Sequence, residues 1–138
     1  MLQILILLLS GNFLMQVSLG DHPLALLPVI LCFALCCGCL SVLLGSVCTT
    51  EQQISSIGLL LTMVLAALGG CWWPMELVPP FLQTIAMFTP TYWGLHGFHQ
   101  VMYFGKSVPD ILVDCAILLG YAAVFILLAI PLFRLEKK

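Results

Sequence analysis

From Leu24 to Val47 the chain carries no charged residue, no side-chain amide and no histidine. A bilayer core of about 30 Å takes about 20 apolar residues in a helix, so this stretch has the length and composition of a membrane span. Two more stretches repeat the pattern, Ile54 to Trp73 and Ile111 to Phe133. Leu2 to Leu19 is a weaker fourth, interrupted by Asn12 and Gln16. The whole chain is 62% hydrophobic and 7% charged, where a soluble domain is about a quarter charged. A soluble fold is excluded. The 138 residues fit one polytopic transmembrane domain, residues 1–138, and leave no room for a separate catalytic module. The formal charge of -2 gives no basic surface for nucleic acid. No GxxxxGK[ST] phosphate loop is present, so any nucleotide energy has to come from another chain.

The four stretches predict an all-α membrane protein. Leu2 to Leu19 reads as a span rather than a signal peptide. Ser18-Leu19-Gly20 is small at the expected end, but the basic start of a signal peptide is missing. Arg134, Lys137 and Lys138 follow the last span, and basic residues gather on the cytoplasmic side. The C-terminus is therefore expected inside, and four spans put the N-terminus inside too. Gly20-Asp21-His22-Pro23 then becomes an outer connection and Cys48 to Gln53 a short inner turn. The stretch from Pro74 to Asp110 lies outside, with Lys106 as its one contrary charge.

That outer stretch, residues 74–110, is unlike an aqueous loop. With the residues just before it, it carries Trp72, Trp73, Phe81, Phe88, Tyr92, Trp93, Tyr103 and Phe104. Amphipathic rings of this kind settle at headgroup level. Pro79-Pro80 suits a first helical turn, where no backbone donor is needed. Leu77, Phe81, Ile85 and Phe88 then share one face, with Gln83 and Thr84 turned away. Thr89-Pro90 stops this helix and caps the next, which runs from Thr91 to Phe104 and ends at Gly105-Lys106. Ser107-Val108-Pro109-Asp110 reads as a capping box before the last span. Neither helix is long enough to cross the bilayer. The pair is expected to lie on the surface or to dip in and return. Backbone at that depth needs protein or a wet cavity around it, so the pair reads as a gate or plug at the outer mouth of a pathway. Gly70, Trp72, Trp73, Pro74, Glu76, Pro79, Pro80, Pro90 and Trp93 are its candidate residues, with Glu76 either lining the path or anchoring at the interface.

The other polar groups carry less. His96 and His99 stand three apart without an evident third metal ligand, so interfacial hydrogen bonding is the reading. Asp114 lies one turn into the last span, either as a functional buried carboxylate or as a helix-end group near water. Cys32, Cys36 and Cys39 step by four and three along one face. They are read as small apolar side chains packing between helices rather than as a soft-metal site. No metal, cofactor or catalytic residue is expected. Small residues also recur every four positions: Gly58, Thr62, Ala66 and Gly70 in the third stretch, Cys37, Ser41 and Gly45 in the second, Ala116 and Gly120 in the fourth. Such stripes let membrane helices approach closely and predict a compact bundle or an oligomer.

The order of these parts is specific even though each is weak. A span ends at Gly69-Gly70. Trp72-Trp73-Pro74-Met75-Glu76-Leu77-Val78-Pro79, Phe81-Leu82-Gln83 and Thr89-Pro90-Thr91-Tyr92-Trp93 follow, then a final span. This arrangement resembles the ABC-2 type permease family, the membrane subunits of ATP-binding cassette exporters, over roughly Leu24 to Phe133. The resemblance implies a six-helix permease in the plasma or inner membrane, working as a dimer with two cytoplasmic ATPase subunits and in contact with lipid. The four stretches here would match the last four of those six helices, which makes a fragment or an internal start an expectation. Weakly charged walls lean towards a hydrophobic or amphipathic cargo. Two other classes fit less of the sequence. A small four-helix protein with a structural or assembly role leaves the Trp-Trp-Pro run unexplained. A membrane enzyme or metal handler needs Cys and His to converge at one depth.

Overall fold

A computed structural model describes residues 25–74, 77–106 and 108–135, together with Ile6. The described residues form α1 (Leu26–Val47), α2 (Glu51–Leu68), α3 (Pro80–Ala86), α4 (Pro90–Met102), a 3-10 turn (Val108–Ile111) and α5 (Leu112–Leu135). No strand occurs among them. Three of these helices, α1, α2 and the Pro109–Leu132 stretch, are long and apolar enough to cross a membrane. They correspond to the second, third and fourth expected spans. The first expected span, with Asn12 and Gln16, lies outside the described residues apart from Ile6, as do Gly20 to Leu24.

The boundaries shift where local chemistry decides them. α2 begins at Glu51, inside the expected Cys48–Gln53 turn. Thr50 is extended and its hydroxyl accepts the Gln53 N–H at 3.3 Å, a standard N-cap contact. Glu51 also sits where the helix dipole favours a carboxylate. At its other end α2 stops at Leu68, five residues before the expected Trp73. Gly70 takes φ 84°, and Cys71 N–H reaches back to the Ala66 carbonyl at 3.0 Å. That 6→1 bond with a left-handed glycine is a Schellman ending. It frees Cys71 to Pro74 from the helix axis. Because a side chain in that region costs about 1–2 kcal/mol, Gly70→Ala is expected to lower stability by about 1 kcal/mol, measurable as a reduced unfolding midpoint. The last span likewise opens with a 3-10 turn at Val108–Ile111 instead of a helical first turn. Ser107 of the expected capping box lies outside the described residues.

The main seam joins α1 to α5. On α1 it is built from Val29, Cys32, Cys36 and Cys39, with the N-cap Ala25 just ahead, and on α5 from Cys115, Leu118, Ala122 and Phe125, with Ile111 just ahead of it. Both sets step by four and three, the heptad spacing that keeps a seam facing its partner. Leu26, Val29 and Ile30 cluster with Ile111 and Cys115, while Cys36 and Cys39 cluster with Ala122. The two helices therefore run parallel. Small residues along the seam let the backbones approach and maximise dispersion contacts, the main attraction between helices in lipid. The cysteine face noted in the sequence is thus packed against a neighbouring helix, and all seven cysteines are free thiols.

α2 is antiparallel to both. Its C-terminal end meets the start of α4, where Thr91 Oγ1 donates to the Leu65 carbonyl at 2.6 Å. No residue of α2 is buried. Ile54, Ile57, Leu60 and Met63 stand exposed along it, a surface suited to lipid or to protein beyond the described residues. The α1 stripe behaves similarly. Cys37 and Ser41 are exposed, and Ser41 Oγ satisfies itself on the Cys37 carbonyl at 2.9 Å.

Candidate functional site

α3 and α4 sit as a short pair at the end of the bundle where α1 and α5 begin. Both start on proline, Pro80 and Pro90 each at the first helical position, where the missing N–H is harmless. Pro79 is the N-cap of α3. Leu77, Phe81 and Phe88 of its apolar face are all more than 70% exposed, so the face points away from the bundle. Between the two helices Thr89 is buried and caps α4 through its hydroxyl, which accepts the Tyr92 N–H at 3.4 Å. Trp93 Nε1 donates to the Met87 carbonyl at 2.8 Å and pins the corner.

α4 has two distinct faces. Pro90, Gly94, Gly97 and Val101 are buried, stepping by four, three and four. The absence of side chains at the glycines is what admits α4 so close. A Cβ on Gly94 would stand 2.6 Å from the Phe33 ring of α1, and one on Gly97 would stand 3.1 Å from Val29. The opposite side presents Tyr92, His96, His99 and Tyr103.

That second face and the Gly69–Pro74 run after α2 flank a half-open cavity of about 670 Å³. Gly70, Trp72, Trp73 and Pro74 line one side, and Tyr92, Leu95, His96, His99, Gln100, Tyr103 and Phe104 line the other. Its volume lies within the range of small-molecule pockets, about 300–1,000 Å³. Trp72 and Trp73 are 59% and 46% exposed. Their centroids are 6.0 Å apart and their planes are at 85°. Tyr92 stacks on His96 at 6.0 Å, and His99 meets Tyr103 edge-on at 5.4 Å. Desolvation pushes the Cys71 thiol up from its ordinary value, which keeps this exposed cysteine in its less reactive thiol form at neutral pH.

A polar chain anchored on a buried carboxylate backs the cavity. Asp114 is 3% exposed, and its Oδ1 is 3.0 Å from His96 Nδ1. His96 Nε2 is 3.0 Å from Gln100 Nε2. With a carboxylate at Nδ1, the geometry fits an Nδ1–H donor and an Nε2 lone pair that accepts the Gln100 amide. Gln100 Oε1 is left buried without a partner. The chain ties α4 to α5 and holds the imidazole plane against Tyr92.

Of the residues singled out in the sequence, the structure brings Gly70, Trp72, Trp73 and Pro74 together in the cavity wall. Pro79, Pro80, Pro90 and Trp93 do not line it; they set the helix starts and the corner. Glu76 lies outside the described residues. Gly58 and Ala66 are partly covered and Thr62 is exposed, with Thr62 Oγ1 on the Gly58 carbonyl at 2.7 Å. Gln100, Thr91, Gly94 and Gly97 escaped the sequence reading. A signal existed: positions 92, 96, 99 and 103 form one polar-aromatic helical stripe, and 90, 94, 97 and 101 a small or apolar one opposite.

Comparison with known proteins gives the family. Residues 1–130 match the family model for ABC-2 family transporter proteins. The chain is 32% identical over 119 residues to the linearmycin resistance permease protein LnrN of Bacillus subtilis (strain 168). That match covers 86% of this chain and 31% of the relative, so the chain spans about a third of its relative's length. No solved structure matches the chain. With apolar helices of membrane-spanning length and a match over nearly its whole length, the chain belongs to the ABC-2 family of transporter proteins.

Proposed function

We propose that this chain supplies part of the translocation pathway of an ATP-driven exporter, as a non-catalytic membrane subunit energised by a separate cytoplasmic ATPase. The observation that carries the reading is the aromatic cavity between the end of α2 and α4. It is built where a membrane-length helix breaks at a glycine pair and a short proline-led pair packs back onto the bundle. Irregular backbone near the bilayer is stable only against protein or a water-filled space, and a pathway mouth provides both. α3 and α4 form the outer gate, and the C-terminus lies in the cytoplasm. The small-residue stripes of Cys37, Ser41 and Gly45 on α1 and Gly58, Thr62 and Ala66 on α2, exposed or only partly covered, meet the transporter's remaining helices or a second permease copy. The relative is named for linearmycin resistance. For this chain, weakly charged walls and aromatic rings support a hydrophobic or amphipathic cargo.

Glu76 stands two residues beyond the cavity wall at Pro74. In the assembled transporter, Glu76→Gln is expected to change ATP-dependent export several-fold while the protein level and ATPase association stay constant. Vesicle transport assays of the two proteins side by side measure this. Equal export of every cargo would reduce Glu76 to an interfacial anchor. Loss of ATP dependence in the parent protein would remove the exporter reading altogether.

A further inference from the structure

The electrostatics of the cavity point to more than apolar storage. Its walls include the rings of Trp72, Trp73, Tyr92 and Tyr103, with one face of Tyr92 stacked on His96, and a ring face is the negative end of the aromatic quadrupole. Trp72 and Trp73 are set nearly at right angles, so they form a corner rather than a closed stack. Gln100 adds a buried carbonyl oxygen with no donor opposite it, and such an oxygen leaves its negative potential uncompensated in a poorly screened site. Behind it stands Asp114, bonded to His96. The His96–Asp114 pair carries charge -1 with a neutral ring and zero with a protonated one, so in neither state is it a net positive charge. No lysine or arginine lines the cavity among the described residues. Lys106, the nearest basic residue along the chain, is exposed, and it is tied to α4 through its backbone N–H on the Gln100 carbonyl at 3.1 Å.

We propose that this cavity binds the ammonium head of a cationic amphiphile, with the Trp72–Trp73 corner and Tyr92 against the cation. A cation over an aromatic face gains most when water is excluded, and aromatic corners of this type accept a trimethylammonium group that has no hydrogen bond to lose. An aromatic interfacial belt without a site makes a different prediction, since it takes up neutral, anionic and cationic amphiphiles alike. That the occupant is exported cargo rests on the pathway reading; the binding itself does not.

The test uses the full chain in lipid nanodiscs at a pH above the ordinary histidine range, titrated with hexyltrimethylammonium, hexyl sulfate and hexanol and followed by tryptophan fluorescence and calorimetry. The cation is expected to bind saturably, at least about ten-fold tighter than either analogue. Replacing both tryptophans by leucine (Trp72→Leu with Trp73→Leu) keeps apolar bulk on two half-exposed positions and is expected to weaken the cation about ten-fold while leaving hexanol unchanged. Trp72→Phe with Trp73→Phe is expected to restore part of the loss. Equal binding of the three probes, or an unchanged cation affinity in the leucine variant, overturns the proposal. Selective binding in the nanodisc, together with unaltered export by the leucine variant in the ATPase-bearing transporter, upholds the site and overturns its place on the pathway.

Discussion

Gly94→Leu will push α4 off α1. A Cβ alone at this position would lie 2.6 Å from Phe33 Cδ2 and 2.9 Å from Cε2, and leucine adds three more carbons. Overpacking a tight interface costs about 1–3 kcal/mol, and here the obstructing atoms belong to the half-buried Phe33 ring. The ring and α4 have to move apart to relieve the clash. Because α4 forms one whole wall of the cavity, its displacement should open the site as well as lower stability. The expected result is a loss of about 3 kcal/mol in unfolding free energy, with cation binding abolished. Phe33→Ala removes the obstruction and should recover most of both losses in the double variant. Additive effects of the two substitutions would show that the close approach of α4 to α1 is not what holds the helix in place.

Asp114→Ala carries the second large effect. The carboxylate is buried at the start of the last span and is bonded to His96. Removing it takes away a hydrogen bond to a charged acceptor, worth about 1.5–3 kcal/mol, and leaves a small void; the His96 side chain is 38% exposed, so water replaces part of that bond. A loss of about 1–2 kcal/mol follows. His96 also loses the contact that orients it, so its stacking on Tyr92 should relax and tryptophan emission should shift through Trp93, which meets His96 edge-on at 6.0 Å. Asp114→Asn keeps an acceptor oxygen and is expected to lose roughly half as much. His96→Ala in the Asp114→Ala background should cost far less than in the parent protein, since the pair acts as a unit. Full additivity in that cycle would contradict the coupling of Asp114 to His96.

What the sequence disclosed and what it withheld divide along physical lines. Membrane-length helices were legible because hydropathy over twenty residues is a local property; α1 and α5 start and end within about two residues of their expected bounds. The two short helices of the outer segment were legible for the same reason, since proline and threonine fix helix starts through their own backbone and hydroxyl. The early end of α2 was not. Gly70 and Cys71 close the helix through a hydrogen bond to Ala66, whereas apolar side chains continue past it to Trp73. Pairing was harder still. Cys32, Cys36 and Cys39 could be placed on one face, but only the fold shows that Cys115 and Ala122 meet them. Stripe spacing alone also cannot say which side of a helix meets a neighbour. Cys37 and Ser41 share a spacing with buried positions yet stand on the open side of α1. The relay from Asp114 to His96 spans eighteen residues, and no periodicity within one helix encodes a bond between two.

His99 offers the most direct access to the central claim, that the cavity between α2 and α4 opens to the outside and changes during transport. It is exposed on α4 and lines the cavity, away from the His96–Asp114 pair. In a transporter whose native cysteines are replaced, His99→Cys is placed in sealed vesicles of known orientation. A membrane-impermeant thiol reagent is then added from the outer face, with and without ATP trapped on the ATPase subunit. The cavity and gate described here predict labelling from the outside at rates that differ severalfold between the two nucleotide states. Labelling only from the cytoplasmic face, or identical rates in both states, would contradict an outer gate at this site.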